Sequence, residues 1–411
     1  MTARSEDIVF TGGGMCCHLG DDVATVAEML RTGRGKPFTI WDQAVEFDGR
    51  CQLIGQVTAD LSNQALGVSA AQGRFMGRSA RMALLAARHA IAEARCETRN
   101  MAVFVGSGVG DCDAMDETRA KLESTKSMRK VSPASVPKLM ASTISANLST
   151  VLEATGPSCS LTAACATGPY NIVMAALLLQ TGAADIALAG GSDAIHLSFF
   201  AGFDSMRAFN GVDNERPEIA SRPYAADREG FILSEGAGIV VLETRRHAEA
   251  RGANILGVLR GFGMSSDGTG QMVAPAPDGG LRAMQAALRQ SGVQASEVEY
   301  VNTHGTSTPL GDISEVKAMR QLFGERRVPY SSIKGYVGHS VSAAGAIEAV
   351  FTLQMMKNKW LAPCINIGTL DPELTDYPPI LEPINADVKL SLSNSFGFGG
   401  TNVSLLLAAE D

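Results

Sequence analysis

Of the eight cysteines and six histidines in this 411-residue sequence, Cys165, His304 and His339 stand in contexts that could carry covalent or proton-transfer chemistry. Cys165 lies in SLTAACATGPYNIVMAALLLQTG, among small residues directly ahead of an apolar, helix-like run. No charged residue occurs between Ala154 and Ala184, so the thiol sits in a dry stretch. Pro169 suits the first turn of a helix, where its missing N–H costs nothing. The helix behind it is apolar nearly all round and should be buried. A thiol at the positive end of a buried helix dipole is expected to be acidified and turned toward a cavity. A packed core cysteine fits the same local pattern, because buried free cysteines are common.

His304 stands in YVNTHGTSTPLGD, where a strand-like run enters a hydroxyl-rich loop, and His339 in IKGYVGHSVSAAGAIEAV, in a Gly loop between a strand and a helix. Strand ends are where α/β proteins place ligands, so the pair means more than either histidine alone. NSFGFGGTN (394–402) is glycine-dense enough for backbone N–H groups to approach a ligand, as an oxyanion hole or as a tight turn. A metal site would want a close-spaced ligand pair, which is absent. Cysteine hydrolase signatures are absent too. The remaining chemistry is acyl transfer with carbon–carbon bond formation: a thiol holds an acyl group, and two neutral imidazoles donate hydrogen bonds to an enolate.

These groups need elements to hold them. Short apolar runs (IVFTGG, MAVFVGSG, DIALAGGSD, GIVVLE, VEYVNTHG, PYSSIKG, NVSLLLA) read as strands, with helical patterns between them. The alternation indicates α/β layering. At this length two similar halves are expected, 1–252 and 253–411, parted near EARGAN. The 43 glycines among periodic apolar segments point to tight turns and close backbone approaches. A net charge of −8 argues against nucleic acid as partner. The apolar stretch behind Cys165 is too short to span a bilayer, and the first residues lack a signal-peptide core, so a cytoplasmic protein is expected. Eight cysteines without a C-x-x-C pair read as reduced thiols.

Taken in order, TAACATG, RPYAADREGFILSEGAGIVVLE, GFGMSSD, YVNTHGTSTPLGD, KGYVGHSVSAAGAIEAV and NSFGFGGTN make the chain resemble, over essentially its whole length, the elongating β-ketoacyl–acyl-carrier-protein synthases. The resemblance implies a thiolase-like α/β fold of two similar halves in α-β-α-β-α layers. It implies a homodimer, or a heterodimer with a related subunit, and no tightly bound cofactor or metal. Substrates would arrive on the phosphopantetheine arm of acyl carrier protein. Cys165 would be the nucleophile, His304 and His339 the decarboxylation and enolate groups, Lys334 the active-site lysine and Glu348 a structural acid. The backbone N–H groups of Cys165 and Phe398 would form the oxyanion hole, with Phe398 as a gate. Thr306 and Thr308 would hold the pantetheine arm, and Val109 and Phe203 would line the acyl pocket. Arg74, Arg78, Arg129, Lys130 and Arg207 fall near the family's carrier-protein contacts.

Two other readings were weighed against this resemblance. A non-catalytic chain-length factor replaces the nucleophile, typically by Gln, whereas Cys165 is present. A thiolase needs a second catalytic cysteine in a C-terminal glycine-rich loop, and Cys364, in APCINIG, does not fit. Departures from the family pattern are Gly168-Pro169-Tyr170 after the nucleophile, the histidine-free loop SSDGTGQMVAP, and Ser234 in place of Gly.

Overall fold

The computed structural model describes residues 7–268, 272–273 and 278–410. The SSDGTGQMVAP loop lies in large part outside them.

The glycines of the first strand in each half explain how sheet and helix come so close. Gly12 and Gly14 in β1 (Ile8–Cys16) lie under the backbone carbonyls of Ala90 and Ala86, so any side chain there would strike the helix Arg78–Ala94. Gly261 and Gly263 in β6 (Gly257–Ser266) stand in the same relation to the helix Gly279–Ser291, through Ala287 and Ala283. Both helices therefore rest directly on their strands.

Between these outer helices runs one ten-stranded main sheet. The first half supplies β1, β2 (Ala102–Gly106), β3 (Ser158–Cys159), β4 (Ile186–Asp193) and β5 (Gly236–Thr244). The second supplies β6, β7 (Tyr300–Asn302), β8 (Tyr330–Ser331), β9 (Leu390–Gly397) and β10 (Thr401–Ala408). The spatial order is β8-β7-β9-β10-β6-β1-β5-β4-β2-β3, so each half repeats the other about the β1–β6 seam. Among the described residues, Ile8, Val9 and Phe10 pair across that seam, with Leu259, Val258 and Gly257.

Two central helices, Thr167–Gln180 and Ala344–Asn358, fill the layer between the halves of the sheet. Each is apolar on nearly every side, as an element covered on both faces must be. Ile172, Val173 and Ala176 of the first join Ile347, Val350 and Phe351 of the second in one buried core. Each helix is entered through a single 3-10 turn whose first residue has a left-handed backbone: Ala164 (φ 47°) before Cys165, and Val341 (φ 45°) before Ser342. The Gly168-Pro169 pair belongs to this helix crossing. A Cβ on Gly168 would stand 2.8 Å from the Ser342 carbonyl oxygen, and Pro169 packs over Gly345.

Candidate active site

The two central helix entries bring the chemistry together. Cys165 sits in its 3-10 turn, 6% exposed. The turn is pinned from several sides: Ala163 N donates to Thr167 Oγ1 (2.9 Å), which donates to Ala164 O (2.7 Å), and Thr401 Oγ1 donates to Ala163 O (3.0 Å). His339 arrives from the matching turn, its backbone N–H held by Ile232 O (2.9 Å) and its carbonyl by Ser234 N (3.0 Å). Ser234 fits behind this turn because Gly55 and Gly338 have no side chains to meet its hydroxyl.

His339 Nε2 lies 3.1 Å from Cys165 Sγ. His304 leaves the end of β7 and stands edge-on to His339, ring centroids 5.4 Å apart. Burial, then the Lys334 ammonium, and for His304 also His339, hold both imidazoles well below the usual histidine pKa. They are neutral at physiological pH, so each keeps one N–H donor. The thiol departs from the sequence expectation. Burial pushes Cys165 up to about 12, while Lys334 and a backbone N–H of Phe398 pull it down by less. Desolvation outweighs the helix start, and the resting group is a thiol.

Lys334 is 1% exposed; its Nζ donates to His304 O (2.6 Å) and forms an ion pair with Glu348. Burial raises Glu348 to about 7 against the pull of Lys334. A second buried acid, Glu315, was not singled out from the sequence. It accepts from His304 N and Gly305 N, both at 2.9 Å, and from Asn394 Nδ2 at 3.0 Å, so it fixes the His304 loop through its backbone. Its signal was the acid in the first turns of the helix Pro309–Phe323, directly after the histidine loop.

Cys165, His304 and His339 open into one cavity of about 390 Å³, also lined by Phe203, Thr306, Thr308 and Phe398. The Thr306 and Thr308 hydroxyls are 3.0 Å apart. Phe398 is 37% exposed in the turn between β9 and β10, its ring 5.8 Å from that of Phe203. Neither Val109 nor Gly168-Pro169-Tyr170 lines the cavity. Val109 follows β2 on a loop held by the Ser107 hydroxyl.

Of the basic residues, Arg74, Arg129, Lys130 and Arg207 are exposed. Arg78 is turned inward instead: its guanidinium pairs with buried Glu235 and donates to Val57 O (2.8 Å). Its side chain stays 35% exposed, and its charge is paired with Glu235. Among the described residues, no three His, Cys, Asp or Glu side chains are grouped so that they could hold a metal ion, and no helix is long and apolar enough to cross a membrane.

The comparison with known proteins agrees with this geometry. Residues 5–248 match the family model for the β-ketoacyl synthase N-terminal domain, and residues 256–368 that for its C-terminal domain. The chain belongs to the β-ketoacyl synthase family. It is 36% identical over 404 residues to 3-oxoacyl-[acyl-carrier-protein] synthase 1 of Haemophilus influenzae, covering 97% of this chain and 98% of the relative. A β-ketoacyl synthase structure from Burkholderia phymatum STM815 superposes with a TM-score of 0.91 at 32% identity, covering 99% of this chain and 100% of that one. The ishigamide ketosynthase/chain length factor gives a TM-score of 0.88 at 28% identity over 99% of this chain and 100% of that one. The fold is thus the thiolase-like α/β fold of the ketosynthases.

Proposed function

We propose that this β-ketoacyl synthase extends acyl chains carried on acyl carrier protein, with Cys165 as nucleophile. The observation that carries the reading is the 3.1 Å contact between Cys165 Sγ and His339 Nε2, with neutral His304 edge-on in the same cavity. Cys165 Sγ attacks the acyl thioester carbonyl, and the backbone N–H groups of Cys165 and Phe398 receive the oxyanion. The carrier thiol leaves with the proton that Cys165 gave up. Malonyl on a second carrier then loses its carboxylate as CO2, and the resulting enolate oxygen accepts N–H donors from His304 and His339. The enolate carbon attacks the Cys165 thioester, the C–S bond breaks, and Cys165 is reprotonated. The net reaction takes up one proton and releases CO2, free carrier and 3-oxoacyl-carrier.

Lys334, paired with Glu348, adds its charge to the burial that keeps both imidazoles neutral. Thr306 and Thr308 hold the pantetheine arm, Phe398 gates it, and Phe203 bounds the acyl end. Arg74, Arg129, Lys130 and Arg207 receive the acidic carrier, with Arg78 a minor contributor. We further propose the division into 1–252 and 253–411, a cytoplasmic location, a dimer with itself or a related subunit, and no tightly bound cofactor. The related subunit is suggested by the structural neighbour named as a ketosynthase/chain length factor.

The test is intact-protein mass spectrometry after incubation with acyl-carrier substrate. One acyl mass on the Cys165 peptide is expected, and none in C165A. Condensation by C165A at the wild-type rate would overturn the reading. A panel of acyl lengths, run alone and with any co-purifying subunit, then identifies the preferred chain.

A further inference from the structure

The two halves treat their matching helix starts differently. In the second half, β9 ends at Gly397, and a Cβ there would stand 3.3 Å from Cys165 N. Gly397 therefore brings no side chain of its own to that turn, and it lines the cavity beside Cys165. The counterpart of Gly397 in the first half is the last residue of β4, another eight-residue strand paired with the strand that follows it. That residue is Asp193, 2% exposed.

Asp193 occupies the position its counterpart leaves empty. Its Oδ2 accepts from Ser342 N (2.9 Å), in the 3-10 turn that leads into the second central helix, three residues after His339. Its Oδ1 accepts from Ser107 Oγ (2.6 Å) and Gly108 N (2.9 Å), in the loop that carries Val109. The Ser107 carbonyl receives Thr162 Oγ1 at 2.7 Å, just ahead of the nucleophile turn. One buried carboxylate thus connects the His339 turn, the Val109 loop and the approach to Cys165. Three donated hydrogen bonds favour its charged form against the burial that pushes the carboxyl up.

We infer that Asp193 is a positioning residue, whose carboxylate anchors the second helix start and sets His339 against Cys165. The inference rests on the reading of Cys165 as nucleophile. The negative charge has a second effect: it opposes Lys334 and raises the thiol. The other charged or titratable groups on this side are His339 and His304, Lys334 with Glu348 and Glu315 behind it, Cys112, whose thiol Asp193 also raises, and Asp267, Glu229 and Arg207 around the cavity. None of them bonds to all three segments.

The experiment follows iodoacetamide alkylation of the Cys165 peptide against pH in wild type, D193N and D193E, beside condensation. D193N is expected to shift the alkylation midpoint to lower pH by about 0.5 unit or more, because a nearby negative charge is gone. Its condensation should fall about tenfold or more, because a misplaced reacting group is costly. D193E, which keeps the charge, should recover most of both. A D193N protein with an unchanged profile and condensation within about twofold of wild type overturns the inference. So does equal loss in D193N and D193E with unchanged alkylation, or a D193N protein that does not fold, since each makes the residue merely structural. If wild type takes no acyl group on Cys165, the functional reading fails alone, and the alkylation profiles still report on Asp193.

Discussion

At Cys165 burial and the Lys334 ammonium act on the thiol in opposite directions, and burial prevails. The sequence supports a helix start and a dry surround at this residue, but it cannot weigh desolvation against the dipole. It marks both histidines by their loops, yet the 3.1 Å approach of His339 to Cys165 depends on packing 174 residues away. The lysine carries a prediction of its own. Lys334 and Glu348 are each 1% exposed, so removing either leaves a buried charge alone. K334A and E348A are each expected to cost about 3–5 kcal/mol in a urea melt. The apolar pair K334M/E348L should recover most of that stability while condensation stays lost. Single variants within about 0.5 kcal/mol of wild type would remove the pair from the account.

Elements were legible where their periodicity was strong. The two central helices and the outer helices Arg78–Ala94 and Gly279–Ser291 stand where apolar spacing expects them. β6 and β9 are harder to read, because glycine, serine and Arg260 interrupt their alternation; Gly261 and Gly263 are there for helix contact, and Ser391 and Ser393 make buried hydrogen bonds. Gly168-Pro169 was open from sequence alone, and its place is the helix crossing rather than the cavity lining. G168A is therefore expected to destabilise by about 1–3 kcal/mol through overpacking against the Ser342 carbonyl and Ala346. The acyl lengths accepted should change little. A shifted chain-length profile without a stability loss would return Gly168 to the pocket.

Across the whole molecule, buried histidines make the fold sensitive to acid. His18 is 7% exposed and stacks on Phe38 with ring centroids 4.8 Å apart. Burial lowers its pKa to about 4 from the ordinary 6.5. The unfolded chain binds this proton more readily, so the contribution of His18 to stability is present above pH 6.5 and is lost as pH falls toward 4. His339, lowered for the same reason, adds to the slope in the same direction. Melting temperature should fall steadily below pH 6.5, and H18F should flatten that limb by up to about 3 kcal/mol. An unchanged acid limb in H18F would place the sensitivity elsewhere.

The sheet order also sets a timetable for the nucleophile. β10 and β9 close the second half and are the last two strands of the main sheet in chain order, although β10 lies next to β6 near its middle. A nascent chain that has emerged only through the first half carries Cys165 without Lys334, His339 or the turn at Phe398. Its thiol then lacks the part of its cover that the second half supplies. Protection from stray electrophiles and oxidants is thus acquired late in synthesis, when the second half seats itself over a cysteine made long before.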